Sequence, residues 1–327
     1  MSVPVVTIFG GSGFIGRYVA QRMARAGWRV RVAVRRPDEA YFVRPYGVVG
    51  QVEPIQANVR DEASTRRAIV GADAVIFCVG VLAEAGAQSF DAVMREGPGR
   101  VARIAAEEGV ARLVHISAIG ADPESDSGYA AAKGRGERAV REAFPGAVIL
   151  RPSVVFGTED QFFNRFAAMA RLSPVIPLVG ADTRFQPVYV DDVAAAAAGA
   201  ALRGAAPRVY ELGGPEVATF RELMRRMLEI IRRRRLVVAL PRPIARLVAK
   251  ASDLVSGVTG GLIAGPLTAD QVRQLARDNV VAPGAAGLAD LGVTATPMQA
   301  VLESYLYAYR PAGQYTEIQE SAVRARS

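Results

Sequence analysis

Six short apolar runs punctuate the first half of the chain: VVTIFG, WRVRVAV, VEPIQAN, AVIFCVG, RLVHISA and AVILRPS. Between them lie longer stretches whose apolar positions recur every three or four residues. Short apolar runs bounded by turn residues read as strands, and the longer spacing reads as helix. The pattern predicts helices from about Ile15 to Ala26, Ala63 to Val70, Phe90 to Glu108 and Tyr129 to Ala143, with a loop after the second strand. Strands alternating with helices in this way call for a parallel sheet covered on both faces. The expected fold class is α/β, a doubly wound parallel sheet of the nucleotide-binding kind.

Past Arg151 the pattern loosens. FFNRFAAMARL reads as helix, QPVYVDDVAAAAAGAAL as a strand end feeding a helix, RVYELGG as a strand, and FRELMRRMLEIIRRRR as helix. A proline-broken segment and a glycine-rich stretch follow. Residues 1–155 are therefore expected as the dinucleotide-binding domain and 156–310 as a smaller C-terminal α/β part interleaved with the sheet. The polar tail 311–327 lacks periodicity and is expected to be mobile.

Gly10, Gly13 and Gly16 follow the first strand and open the first helix together with Phe14 and Ile15. A strand, glycine turn and helix start in this order form a phosphate cradle: a tight turn at Gly10, close backbone approach at Gly13, and tight helix packing at Gly16. Sites selective for NAD place a carboxylate roughly 20 residues further on to grip the ribose hydroxyls. Here that place holds Arg35 and Arg36, whose guanidiniums suit a 2′-phosphate, with Arg17 as a third contact. NADP(H) is the expected cofactor, and NADPH in particular.

The glycine spacing resembles the fingerprint of the extended and atypical short-chain dehydrogenase/reductases. That resemblance implies that Asn58 and Val59 end the third strand beside the adenine and that Val79 and Gly80 line the cofactor from the other side. It also gives meaning to Ser117 and to Tyr129 and Lys133, which stand four residues apart on one helical face. In the family, the lysine holds the ribose, the tyrosine exchanges a proton with a carbonyl or alcohol, and the serine hydrogen-bonds the substrate oxygen. Of 40 basic residues only Lys133 and Lys250 are lysine, which supports a specific need for an ammonium at position 133. His115 lies in an apolar strand and reads as core.

Composition removes several classes of function. Half the residues are apolar and 22% charged, as in a folded chain. The lone Cys78 forms no internal disulfide and reads as a small buried hydrophobe, and one cysteine with one histidine argues against a metal centre. The net charge of +8 accompanies no nucleic-acid module, so no nucleic-acid partner is expected. No apolar run approaches the roughly 20 residues of a spanning helix. VPVVTIFG leaves no room for a signal peptide, so any membrane contact is expected from the surface.

Residues 232–265 offer such a surface. RRRR, residues 232–235, precedes a segment in which Ile244, Leu247, Val248, Ala251 and Val255 share one helical stripe and Arg242, Arg246 and Lys250 another. A basic amphipathic helix of this kind suits an anionic membrane or a partner protein.

RPSVVFGTEDQFFNRFA, QPVYVDDVA and LTADQVRQLARDNVV carry a closer resemblance, to the 39 kDa accessory subunits of respiratory complex I in their bacterial form, running from about residue 3 to about 310. This implies an NADPH-binding subunit, not catalytic by itself, with a structural role beside other complex I subunits. It would sit at the junction of the peripheral and membrane arms near the quinone site, peripheral on the cytoplasmic face of the inner membrane. Ser117, Tyr129 and Lys133 would then be vestigial. Two alternatives stand beside it: a free-standing NADPH-dependent reductase or epimerase using those three residues, and a nucleotide or redox sensor.

Overall fold

The computed structural model describes residues 3–84, 86–241, 243 and 268–313 of the chain. Strands β1 (Val5–Phe9), β2 (Arg29–Val34), β3 (Val52–Gln56), β4 (Ala74–Phe77), β5 (Arg112–Ile116) and β6 (Val148–Pro152) arise where the apolar runs predict them. The two-residue β7 (Val155–Phe156) follows, then β8 (Val175–Val179), β9 (Arg184–Phe185), β10 (Val188–Tyr189), β11 (Val209–Leu212), β12 (Ala218–Thr219) and β13 (Leu236–Leu240). Seven of these form one parallel sheet in the order β11-β6-β5-β4-β1-β2-β3, with Val5–Phe9 in register with Arg29–Ala33. The order reverses beside β1, where a doubly wound sheet opens its ligand crevice.

Alternation along the strands sorts side chains to the two faces. Val6, Ile8, Ala74 and Ile76 meet α1 (Phe14–Arg25) and α6 (Val190–Arg203). Phe9, Val75 and Phe77 meet α2 (Glu62–Ile69), α3 (Glu96–Glu107) and α4 (Gly128–Ala143). Asp61 caps α2 by accepting from the Ser64 N–H, and Ser127 caps α4 by accepting from the Ala130 N–H. A second core gathers α5 (Phe163–Leu172), α7 (Phe220–Ile230), β8 and the helix Gln299–Leu306 around a cluster of phenylalanines. The chain thus leaves the sheet after β6 and returns to it with α6 and β11. Among the described residues, no helix is long and apolar enough to cross a membrane.

Three segments depart from the sequence pattern. The helix expected from Phe90 is a π-helical turn, Asp91–Arg95, followed by α3. Pro98 lacks an N–H and fits only the first turn of a helix, so α3 starts afresh at Glu96. Residues Pro37–Tyr46, expected as loop, form a 3₁₀ helix with Pro37 at its first position. The helix expected through Arg235 stops at Ile230: Arg232 turns the backbone to φ +52°, and Leu236–Leu240 pairs with β8. The rest of the expected amphipathic helix, from Ile244 to Val255, and the tail from 314 lie outside the described residues.

Candidate functional site

A cleft of about 690 Å³ opens at the C-terminal ends of β1 to β4. Gly10, Gly13, Arg35, Arg36, Asn58, Val59, Val79 and Gly80 line it. Gly10 adopts φ +75°, left-handed backbone that a side chain resists, and its N–H donates to the Ala33 carbonyl at 3.0 Å. Gly13 heads α1 and no side chain caps that helix, so the first-turn N–H groups remain available. A Cβ at Gly13 would meet only the Gly10 carbonyl, at 3.2 Å, and would otherwise project into open space. A Cβ at Gly16 would be driven into the Gly10 carbonyl and the Gly11 backbone, so α1 packs directly on the turn.

Phe14 and Ile15 contribute backbone at the helix start while their side chains turn inward. Phe14 meets the Tyr18 ring edge-on at 6.4 Å, and Ile15 packs on the first core. Arg17 does not line the cleft. Its Nε and Nη2 donate to the carbonyls of Gly13 and Ser12, at 3.3 and 3.1 Å, Nη1 lies 3.3 Å from Glu159, and the guanidinium covers the Phe42 ring. These contacts brace the glycine loop.

Arg35 is exposed on the rim and shows no ion pair among the described residues. Arg36 pairs with Glu39 at 2.8 Å, both largely exposed, a contact worth little. Arg60, which the sequence reading passed over, lines the same rim and donates to the Ala87 carbonyl at 2.6 Å. Asn58 shapes the turn between β3 and α2: its Oδ1 accepts from the Arg60 N–H and its own N–H donates to Ser64 Oγ, each at 3.1 Å. Cys78 also borders the cleft, and burial pushes its thiol up to about 12, so it stays protonated.

Of the other predicted set, Tyr129 and Lys133 line a smaller cavity of about 70 Å³ together with Arg273, Arg277 and Asn279. Lys133 is 4% exposed, and its Nζ donates to the Ile116 carbonyl at 3.1 Å. Burial brings its pKa down to about 8, opposed by the nearby Glu137 carboxylate, which is fully committed to Arg151 through bonds of 2.8 and 2.7 Å. Ser117 Oγ and both ring nitrogens of His115 are buried with no hydrogen-bond partner among the described residues. Burial, with the Lys133 charge adding, drives His115 down to about 3 and keeps it neutral. The Tyr129 ring meets Phe90 edge-on at 5.9 Å, and burial raises its phenol to about 12, with Asp270 adding. These surroundings favour a phenol that donates a proton over a phenolate that accepts one.

Asp270 is a second site residue that sequence reasoning missed. Its Oδ1 accepts from the Gly128 N–H at 2.7 Å, and its Oδ2 accepts from Ser127 Oγ at 3.0 Å and Gln274 Nε2 at 2.7 Å. A carboxylate from far along the chain thus sits on the first turn of α4, one residue from Tyr129. Thr268 and Gln271 form a capping box that marks a helix start in the sequence, but nothing local names its partner. Asn279 Oδ1 then accepts from Ser153 Oγ at 2.7 Å and the Val154 N–H at 3.1 Å, stitching the same segment to the end of β6.

The model of the NAD dependent epimerase/dehydratase family matches residues 6–213. NADH dehydrogenase (ubiquinone) 1 alpha subcomplex subunit 9 of Arabidopsis thaliana mitochondria is 35% identical over 317 residues, covering 94% of this chain and 79% of its own. The NADH-ubiquinone oxidoreductase 40 kDa subunit of Neurospora crassa mitochondria is 30% identical over 316 residues, covering 94% of this chain and 80% of its own. In fold, the chain is similar to the NADPH-dependent quinone oxidoreductase QOR2 of Escherichia coli complexed with NADPH, with a TM-score of 0.70 at 19% identity over 92% of this chain and 98% of that one.

Proposed function

This chain belongs to the NAD-dependent epimerase/dehydratase family and, within it, to the 39 kDa accessory subunits of respiratory complex I, and from that premise we propose that it is an accessory subunit holding NADPH as a stabilising group. The observation that carries the cofactor reading is the glycine-floored cleft with the unpaired Arg35 on its rim. The uncapped start of α1 suits a pyrophosphate, and the space beside Gly13 admits its close approach. Arg35 would take the 2′-phosphate, with Arg36 released from its weak pair to Glu39.

When bound, the nicotinamide can give or accept a hydride. Lys133, with the Ile116 carbonyl as its one acceptor among the described residues, would hold the ribose, and the Ser117 hydroxyl, unpartnered among them, has a bond to give at the same end. The structural role finds support in the space that remains. A cavity of about 70 Å³ beside Tyr129 is far below the roughly 300 Å³ of ordinary small-molecule pockets. The segment pinned by Asp270 and Asn279 borders it, and Tyr129 is held as a phenol. The proposed place is peripheral, on the cytoplasmic face of the inner membrane at the junction of the two arms, against other subunits of the complex.

The test is to tag the chain in its own membranes, solubilise gently and follow NADH:quinone oxidoreductase activity. Enrichment of that activity with the tag is the expected outcome. A tagged chain recovered alone and soluble, turning over NADPH with a carbonyl substrate, would replace this reading with the free-standing reductase using Ser117, Tyr129 and Lys133.

A further inference from the structure

Where α7 was expected to continue, the chain turns through Arg232–Arg235 and enters β13, which pairs in parallel with β8. This two-stranded ribbon has two faces. Ile176 and Leu178 point inward and are fully buried, and Val237 packs beside them on the second core. On the outward face the register sets Leu236 beside Val175 and Val238 beside Pro177, and all four are exposed. Leu172, which ends α5 just before the ribbon, is 91% exposed, and Leu236 is 64% exposed. Single exposed leucines are routine, but a contiguous apolar row with charged residues at its border marks an interaction surface.

The border is basic. Arg225, Arg232, Arg233, Arg234 and Arg235 surround an open depression of about 730 Å³ beside the ribbon, with Glu229 as the one carboxylate lining it among the described residues. Arg235 Nε donates to the Ala170 carbonyl at 2.7 Å, which makes the arginine turn and the end of α5 a single surface. The like charges of Arg235 and Arg171 crowd Arg233. A partner whose surface is acidic and polar throughout would answer the charge alone. A bilayer with anionic headgroups answers both halves at once, placing phosphates against the guanidiniums and an apolar boundary against Leu172 and Leu236.

We propose that the outward face of the β8–β13 ribbon, with Leu172 and the arginine turn, docks on an anionic phospholipid bilayer. The proposal rests on the membrane-associated reading above and gives that association a surface, one that includes residues 172–177, which the sequence pattern did not single out.

The experiment is co-flotation of the full chain with vesicles of phosphatidylcholine, with and without phosphatidylglycerol. Binding is expected only with phosphatidylglycerol, and it weakens as salt passes about 0.1 M, where the screening length is about 10 Å. Arg234→Gln lowers partitioning about fivefold, as expected for one exposed basic residue at an anionic surface. The pair Leu172→Asp and Leu236→Asp lowers it at least about tenfold. Both leucines are exposed, so thermal stability and nucleotide content stay at wild-type values and separate lost docking from lost folding. No binding at low salt, or equal binding by the leucine pair variant and the wild type, would overturn the proposal. A chain that enters the complex yet ignores vesicles sinks this inference alone, whereas one that binds vesicles yet never enters the complex sinks the subunit reading.

Discussion

Gly13 and Gly16 stand three residues apart and answer to different constraints. A side chain at Gly16 collides with the turn itself, whereas one at Gly13 enters the space a pyrophosphate would fill. Gly13→Val is therefore expected to stay folded and lose its nucleotide, and nucleotide content equal to wild type would sink the cradle. Arg35 touches no carboxylate among the described residues, so Arg35→Asp should change stability by no more than about 0.5 kcal/mol. It should weaken NADPH far more than NADH in paired titrations, and equal loss of both would refute the 2′-phosphate clamp. His115 supplies a test of burial. Its folded pKa of about 3 lies below the ordinary 6.5, so the unfolded chain binds the extra proton in between and stability drains as pH falls through that window. His115→Leu removes this acid sensitivity, so the urea midpoint of the wild type should fall relative to that of the variant as pH drops from about 6.5 toward 3; parallel curves from pH 7 to 3 would contradict it. At this scale the glycine turn was legible because backbone approach dictates it, and the shared helical face of Tyr129 and Lys133 because four residues separate them. The direction of Arg17 was not legible, because Glu159 and Phe42 reach it only through the fold.

The elements show why three stretches of the second half carry so distinctive a pattern. Asp160 gathers the N–H groups of Gly157, Phe162 and Asn164 and accepts from the Tyr305 hydroxyl, tying the loop after β7 to the last helix. Asp191 holds Arg22 through bonds of 2.6 and 2.8 Å, locking α6 to α1, and Asp192 accepts from Thr296. Asp270 and Asn279 fasten the third stretch over the Tyr129 end of the site. Asp270→Asn places an amide where only acceptors fit, and losing charge-assisted bonds to α4 should cost about 1–2 kcal/mol. Nucleotide release should then accelerate about tenfold, measured by fluorescence on dilution, and an unchanged rate would show that the segment does not restrain the cofactor. Strands of the main sheet were legible because each is an apolar run between turn residues. The β8–β13 ribbon was not, since VIPLV and LVVAL are short, and pairing across some sixty residues decides them.

At the scale of the whole molecule, the chain closes a nucleotide cleft with its first half and then spends its second half bracing it. Residues after 155 return α6 and β11 to the sheet, so sequence order and spatial order differ, and the boundary drawn from pattern marks only the first departure. The central claim is that the nucleotide is a resident part of a larger assembly. Its most direct test is to isolate the quinone reductase containing this chain and quantify the nucleotide released on denaturation by mass spectrometry, from wild type and from Tyr129→Phe. The account predicts close to one NADP(H) per copy of the chain in both, with electron transfer to quinone unaffected by the substitution. An assembly free of NADP(H), or one whose quinone reduction fails when the Tyr129 hydroxyl is removed, would contradict it.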